Sequence, residues 1–346
     1  MFRKIGFLTL PALMLAGCDG GAGGSAARDQ IKIVGSSTVY PFTTAVAEQF
    51  QVKNPAFKGP VTESTGTGAG MKLFCAGVGA QYPDIENASR RMKKSEFDDC
   101  QKNGVKDIVE IQVGIDGLAL IESNNGPKMD LTTADVYKAL AASPFGKPQT
   151  AKSWKDVNPA LPDIPIKVFG PPSTSGTRDS LAELILDKGC NSDPAMEALK
   201  KTDEDKHKTV CTKVREDGAY VESGENDNLI VQKLTANPTA LGVLGYSFLE
   251  ENLSSVRGVA MNGVTPTYET IADFSYPGAR AIYIYVKGAH LNAVPGLKEF
   301  VAEYASAWNP DGYLTKRGLI ASPDAVRAAN AEIAAKLTFL DGSKLN

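Results

Sequence analysis

Short apolar runs and amphipathic segments alternate along most of the chain. The run at 31–35 predicts a strand. The segment at 39–53 has apolar residues at positions i, i+3, i+4 and i+8, which predicts a helix with one buried face. Further strand-like runs lie at 108–113, 117–121, 166–169, 240–244 and 281–286, and further helical segments lie after Gly68 and at 176–188, 228–234 and 297–304. Strands that alternate with helices predict an α/β fold with largely parallel sheets.

The first 17 residues have the pattern of an export signal. Two basic residues precede an apolar stretch of 11 residues, which is too short to span a bilayer. The stretch leads into Leu-Ala-Gly-Cys18, which resembles the lipobox of bacterial lipoproteins. We therefore expect residues 1–17 to be a lipoprotein signal peptide and Cys18 to carry the lipid; an ordinary secretory signal is the alternative. Residues 18–30 are rich in glycine and alanine, which suits a flexible tether. This predicts a protein that is lipid-anchored to a membrane, in the periplasm or at the cell surface.

Length and composition narrow the classes of function. A chain of 346 residues is long enough for two domains. The formal net charge is −3, without the basic excess of a nucleic-acid-binding protein, so we expect no nucleic-acid partner. Only two histidines occur, His207 and His290, which argues against multi-histidine metal sites and histidine-dependent catalysis. After the N-terminus no apolar run reaches 18 residues, so no transmembrane helix is expected. We expect no cofactor and no enzymatic activity.

Four cysteines follow Cys18, an even number that suggests two disulfides in an exported protein. The sequence alone allows three connectivities. We expect the two local pairs, Cys75–Cys100 and Cys190–Cys211, with buried free thiols as the alternative. Their loops of 25 and 21 residues would each contribute up to about 3 kcal/mol to stability. Neither a CxxC motif nor a Cys/His zinc spacing is present, so we assign no structural metal.

Three segments place glycines and small hydroxyl residues directly ahead of a predicted helix. They are GSSTVYP at 35–41, STGTGAG at 64–70 and STSGTRD at 173–179. Each brings together free backbone N–H groups, hydroxyl donors and the positive end of a helix dipole. One such segment is typical of an ordinary helix cap. Three in one chain favour a donor-rich pocket for a tetrahedral oxyanion.

Two arginines lie near these segments. Arg90 follows a predicted strand end in the sequence Asn-Ala-Ser-Arg, and Arg178 lies in the first turn of the third helix. A cation at a helix N-terminus is unfavourable, so we expect Arg178 to have an anionic partner. That partner is either the neighbouring Asp179 or a bound anion.

An ordered set of motifs resembles the phosphate-binding proteins of Pst-type ABC importers, the PstS/PhoX-like group. The motifs are GSSTVYP, STGTGAGMKLFC, DIENASRRM, GIDGLALIE and GPPSTSGTRDSL, and the resemblance covers about residues 31–340. It implies a type II periplasmic-binding-protein fold, in which two α/β lobes joined by two crossing strands close on phosphate. We expect lobe 1 at 31–112 plus 275–346 and lobe 2 at 113–274. The resemblance further implies a monomer that delivers inorganic phosphate to the transmembrane subunits of an ABC permease.

In that family the pocket donors come from the start of the first helix, from the second glycine-rich loop and from the SGT loop. Carried over onto this chain, the resemblance implies phosphate contacts from Ser37, Thr38, the Val39 N–H, Thr67, Ser175, the Gly176 N–H and Thr177.

The chain departs from the better-known members of the family at two positions. Those members have an acidic residue where this chain has Arg90, and an arginine where it has Pro171. We therefore expect Arg90 and Arg178 to supply the cationic contacts and Asp116, in the sequence GIDG, to supply the carboxylate. A turn or hinge residue is the alternative for Asp116. Asp227 is a weaker candidate for the carboxylate and equally suits a helix N-cap.

Two other functions fit parts of the sequence. The same fold could bind another oxyanion, such as sulfate or molybdate. Phosphate retains a proton for part of the time near neutral pH and sulfate has none, so a carboxylate acceptor in the pocket favours phosphate. A secreted phosphatase would need a nucleophile with an activating base, or a metal cluster. The sequence contains neither a GxSxG motif nor an Asp/His metal spacing.

Overall fold

The computed structural model describes residues 28–224 and 227–345. The signal peptide expected at 1–17, the expected lipid site Cys18 and most of the tether expected at 18–30 lie outside the described residues. In the described part of the chain, no helix has both the length and the apolar character needed to cross a membrane.

The first part of the chain alternates strands and helices, as the apolar pattern predicts. Its elements are β1 (Lys32–Gly35), α1 (Tyr40–Lys53), β2 (Val61–Ser64), α2 (Thr67–Phe74), β3 (Ile85–Ala88), α3 (Lys94–Lys102) and β4 (Ile108–Ser123). Strand β1 pairs in parallel with both β2 and β3. Pro41 lies in the first turn of α1, where a backbone N–H has no partner within the helix and its absence costs nothing.

The central part of the chain builds a second sheet with more helices. Its elements are β5 (Asp130–Leu131), α4 (Thr133–Leu140), α5 (Trp154–Val157), β6 (Val168–Gly170), α6 (Gly176–Ser180), α7 (Asp187–Cys190), α8 (Pro194–Thr202), α9 (Glu204–Thr212), β7 (Tyr220–Glu222), α10 (Asp227–Ala236), β8 (Leu241–Gly245), α11 (Tyr246–Glu251), β9 (Val256–Gly258), β10 (Ala260–Met261) and α12 (Tyr268–Ala272). A π-helical segment, Leu181–Leu186, joins α6 to α7. Strand β6 pairs in parallel with β7 and β8.

The last part of the chain returns to the first sheet. Its elements are β11 (Ala279–Lys287), α13 (Leu297–Ala307) and α14 (Asp324–Lys336), with short 3-10 turns at Gly288–His290, Thr315–Arg317 and Gly342–Lys344. A further 3-10 turn, Pro144–Gly146, lies in the central part of the chain. Strand β11 runs antiparallel between β3 and β4, and the strand order is β2-β1-β3-β11-β4-β8-β6-β7. The described residues therefore form two α/β lobes that share β4.

Strand β4 connects the two lobes. Up to Gly117 it pairs with β11 of the first lobe, and from Leu118 it pairs with β8 of the second. The sequence predicts two strands here, separated at GIDG, but the structure has one continuous strand. The glycines serve close packing instead of a turn: a Cβ on Gly114 would lie 2.5 Å from Leu319, and one on Gly117 would lie 2.4 Å from Ile320. The lobe boundaries expected at 112/113 and 274/275 stay predictions.

Each lobe has its own apolar core. In the second lobe a single large cluster includes Trp154, Tyr137 and Tyr276. In the first lobe one cluster contains Phe50 and Phe300, and a smaller one surrounds the Cys75–Cys100 bridge. Both expected disulfides are confirmed, with Cα–Cα distances of 4.2 Å for Cys75–Cys100 and 5.4 Å for Cys190–Cys211.

The described chain begins with an anchored arginine. Arg28 donates to the carbonyl oxygens of Ala80, at 2.7 Å, and Tyr82, at 3.1 Å, and forms an ion pair with Asp84. Asp84 is fully buried and also lies 2.6 Å from Nδ1 of His290. The part of the predicted tether at Arg28 is therefore held against the first lobe.

Candidate functional site

The three glycine- and hydroxyl-rich segments predicted from the sequence meet where the two lobes face each other. A Cβ on Gly70 would lie 2.6 Å from the Cα of Gly35, and a Cβ on Gly176 would lie 3.0 Å from the Cα of Thr38. Real Cβ atoms do not tolerate the first of these separations, and the second is at its limit. Gly70 thus allows α2 to lie against the end of β1, and Gly176 allows the start of α6 to lie against the turn before α1.

Hydroxyl groups line the first-lobe side of this meeting point. Thr38 is buried, and Val39, directly before α1, is fully buried. Thr67 begins α2, and its Oγ1 accepts a hydrogen bond from the Ser89 backbone N–H at 3.0 Å. The hydroxyls of Thr67 and Ser89 also lie 3.0 Å apart. The second loop is thereby fixed to the end of β3.

On the side of the second lobe, the start of α6 forms this meeting point. Ser175 is buried, and its Oγ caps the helix by accepting from the Thr177 N–H at 3.2 Å. Asp179, in the first turn, accepts a hydrogen bond from the Ser37 hydroxyl of the opposite lobe. Burial raises the pKa of Asp179, and the hydrogen bond from Ser37 offsets only part of this effect. The SGT loop and the first helix start are therefore in direct contact across the lobes.

Arg280, on β11, is the cation at the centre of the site. Its Nε donates to Asp116 at 3.1 Å, and one terminal nitrogen donates to Thr38 at 2.9 Å and to Ser180 at 3.0 Å. The other terminal nitrogen forms an ion pair with Glu183. Burial disfavours the charged guanidinium, but the attraction of Asp116 and Glu183 outweighs this and raises the pKa of Arg280. This single side chain contacts both lobes and a connecting strand.

Asp116 lies directly opposite Arg280 in the ladder between β4 and β11. Its Oδ2 also accepts a hydrogen bond from the Ser180 hydroxyl at 2.7 Å. Its side chain keeps 16% of its surface exposed. Asp116 is thus placed in the site, as expected, but as the partner of an arginine that the sequence reasoning did not select.

The two arginines expected to bind the anion have glutamate partners in the structure. Arg90 forms a bidentate pair with Glu96, at 2.7 and 2.9 Å. Arg178 stacks on the ring of Tyr220 at 4.3 Å, and it lies 3.7 Å from Glu222. The alternative partner considered for Arg178, the adjacent Asp179, instead bonds to Ser37 in the opposite lobe.

Asp227, the weaker carboxylate candidate, is the first residue of α10, next to residues outside the described part of the chain.

Four residues of the site were not selected from the sequence. The position of Arg280 directly before the strand-like run predicted at 281–286 was the one available signal for it. The residues missed are Ser89, Asp179, Ser180 and Arg280.

Comparison with known proteins places this geometry in a family. A family model described as a PBP superfamily domain matches residues 20–307. The chain belongs to the PBP superfamily. Within it, the SphX protein of Synechococcus elongatus is 33% identical over 271 residues, which cover 76% of this chain and 69% of that protein. The phosphate-binding protein PstS of Staphylococcus saprophyticus is 30% identical over 300 residues, which cover 84% of this chain and 81% of that protein.

A solved structure supports the same relation to the PBP superfamily. The crystal structure of a possible phosphate binding protein from Planctomyces limnophilus superposes with a TM-score of 0.71 at 29% identity, and covers 89% of this chain and 98% of that one. The comparisons confirm the predicted two-lobe type II binding-protein fold.

Proposed function

We propose that this chain is an extracytoplasmic receptor that binds inorganic phosphate between its two lobes and delivers it to an ABC importer. One observation carries the proposal. Donor-rich segments from both lobes meet beside a buried arginine, which donates to Thr38 before α1 and to Ser180 of α6, and this combination suits a small tetrahedral anion. Relatives named as phosphate-binding proteins support phosphate as that anion.

The proposed contacts combine neutral donors with one central cation. Arg280 takes the central cationic role, because it already donates to hydroxyls of both lobes. Arg90 and Arg178 stay predicted contacts, and each would have to share or exchange its glutamate. The proposed neutral donors are Ser37, Thr38, the Val39 N–H, Thr67, Ser175, the Gly176 N–H and Thr177.

Asp116 is the proposed acceptor for the phosphate proton. Hydroxyl and N–H donors in fixed positions bind phosphate and sulfate alike, whereas a carboxylate can accept a hydrogen bond only from a protonated anion. Replacing Asp116 by Asn should weaken phosphate binding by roughly 1–3 kcal/mol, the scale of a hydrogen bond to a charged group. It should also improve sulfate binding, because repulsion is removed. Arg178→Ala should weaken both anions together, since it contributes charge only.

Calorimetric titration with phosphate, sulfate and molybdate tests these statements. The wild type should bind phosphate much more tightly than the other two anions. A wild type that prefers sulfate or molybdate would overturn the proposed ligand. If Asp116→Asn leaves the phosphate-to-sulfate ratio unchanged, the acceptor lies elsewhere and Asp227 is the next residue to test.

We also propose that the receptor is a monomer held at the membrane by a lipid on Cys18. The support is the lipobox-like sequence directly before Cys18. Metabolic labelling with a fatty acid should mark the wild type, and Cys18→Ser should abolish the label and release the chain into the soluble fraction. Analytical ultracentrifugation of the released protein should give one monomeric species. An unlabelled wild type would instead indicate an ordinary secretory signal.

A further inference from the structure

His207 and the second disulfide form a cluster of metal-ligating groups that shares no residue with the proposed phosphate contacts. Cys190 ends α7, while His207 and Cys211 lie on α9. One ring nitrogen and the two sulfur atoms all lie within 4.8 Å of one another. All three side chains are buried, with His207 only 2% exposed. The described residues contain no other group of three such ligands at this spacing.

The local geometry suits a tetrahedral cation. Positions 207 and 211 are four residues apart on one helix, so their side chains lie on the same face. Zinc holds thiolate sulfur at about 2.3 Å and imidazole nitrogen at about 2.0–2.1 Å, which places two ligands of one ion roughly 3.5–3.8 Å apart. The two sulfurs, which are 2.01 Å apart in the disulfide, would therefore have to separate by roughly 1.5–1.8 Å after reduction to hold one ion.

Polar neighbours could orient the imidazole from either side. Nδ1 of His207 lies 3.7 Å from Oδ1 of Asp187, and Nε2 lies 2.8 Å from Oδ1 of Asn191. If Nδ1 binds a metal, Nε2 keeps the Asn191 amide oxygen as its hydrogen-bond partner. Such outer partners fix the ring and strengthen a metal-bound histidine. The Asp187 carboxylate also adds negative charge close to the cluster.

We propose that the reduced form of this chain binds one zinc-like divalent cation through Cys190, Cys211 and His207, with water in the fourth position. Reduction by a dithiol breaks the Cys190–Cys211 bond: two electrons and two protons convert the disulfide to two thiols while the dithiol becomes a disulfide. Binding of the cation then releases both thiol protons. Disulfide and metal exclude each other, because zinc is held by thiolates and the neutral sulfurs of a disulfide are weak ligands.

The Cys75–Cys100 bridge is a control built into the chain. It also yields two thiols on reduction, but its surroundings are apolar, with Met71, Phe74 and Met92 in the same cluster. No histidine or carboxylate joins it in a ligand group among the described residues. Metal binding should therefore depend on which cysteine pair is present, not on the number of thiols.

The experiment uses the mature chain, reduced with a dithiol and desalted without oxygen. Cobalt is titrated first, because tetrahedral thiolate-bound cobalt absorbs visible light, and zinc is then used to displace it. The reduced Cys75→Ser/Cys100→Ser variant should bind one equivalent with this absorption. Oxidised protein and reduced Cys190→Ser/Cys211→Ser should not. In the first background, His207→Gln should weaken zinc binding at least about tenfold.

Circular dichroism on the same samples keeps the test decisive. The reduced Cys75→Ser/Cys100→Ser variant should keep its helical signal, or regain it when zinc is added. Absence of metal binding by this folded variant, or equal binding by both double variants, would overturn the proposal. A reduced chain that unfolds and does not refold with zinc would overturn it as well.

Discussion

Loss of the Arg280 charge should cost far more stability than loss of any one of its hydrogen bonds. Arg280 is 10% exposed, and its partner Asp116 is 16% exposed. Replacing Arg280 by Gln leaves Asp116 ionised and largely buried with only the Ser180 hydroxyl as a partner. Breaking a buried ion pair from one side costs about 3–5 kcal/mol. We take the lower end, about 3 kcal/mol of unfolding free energy, because Asp116 keeps some contact with solvent.

The second carboxylate beside Arg280 provides a matched control. Glu183 also pairs with Arg280, but its side chain is 55% exposed. Water can solvate this carboxylate when its partner is lost, and exposed pairs contribute about 0–1 kcal/mol. Glu183→Gln should therefore lower the unfolding free energy by less than about 1 kcal/mol. The difference in unfolding free energy between Arg280→Gln and Glu183→Gln therefore distinguishes the buried ion pair from the half-exposed one at the same guanidinium.

A double-mutant cycle isolates the cost of the orphaned charge. Asp116→Asn combined with Arg280→Gln removes both charges of this buried pair, so the double variant should be more stable than Arg280→Gln alone. Urea unfolding of the wild type, both single variants, the double variant and Glu183→Gln measures each difference. The reasoning fails if the effects of the two single changes simply add. It also fails if Arg280→Gln and Glu183→Gln cost the same.

Two further predictions concern the first lobe. Glu86 is fully buried without a hydrogen-bond partner, and burial raises its pKa well above 4.5, more than the attraction of Arg90 lowers it. The unfolded chain binds fewer protons above that pH, so wild-type stability should fall as the pH rises through the window above 4.5. Glu86→Gln should remove this slope in unfolding experiments across pH, and an unchanged slope would refute the assignment. Gly70→Ala should destabilise the protein by about 1–3 kcal/mol in thermal unfolding, because its Cβ would lie 2.6 Å from Gly35. The control is Gly68→Ala, whose Cβ would meet nothing within 4 Å, so this change should be neutral or stabilising. Equal effects of the two alanines would contradict this reasoning.

The sequence predicted features that depend on local spacing. The periodicity at 39–53 corresponds to α1 at Tyr40–Lys53, and the apolar run at 281–286 lies within β11. The disulfide pairing also followed from short separations along the chain. Ser175 lies where an N-cap is expected, directly before α6, because capping depends on residues within one turn.

The central cation could not be found in the same way. Arg280 reaches Asp116 only through the register of β11 on β4, and that register shifts at a bulge between Ile282 and Tyr283. Residues 164 positions apart are brought together by pairing that no local pattern encodes.

Adjacent residues on a helix point in different directions. Arg178 and Asp179 therefore face different partners, and Asp179, one of the two partners considered for Arg178, bonds to Ser37 instead. The partner of each residue depends on the element packed against it.

The docking of Arg28 also limits how far the receptor can travel. Arg28 lies ten positions after Cys18, and a fully extended chain of that length spans at most about 35 Å. With the lipid on Cys18, as proposed, the first lobe searches for a membrane partner within a thin layer instead of through the whole compartment. Short linkers of this kind give effective concentrations on the order of millimolar. A weak contact with the importer would then be enough for frequent encounters, and lengthening the segment between Cys18 and Arg28 should slow delivery without changing phosphate affinity.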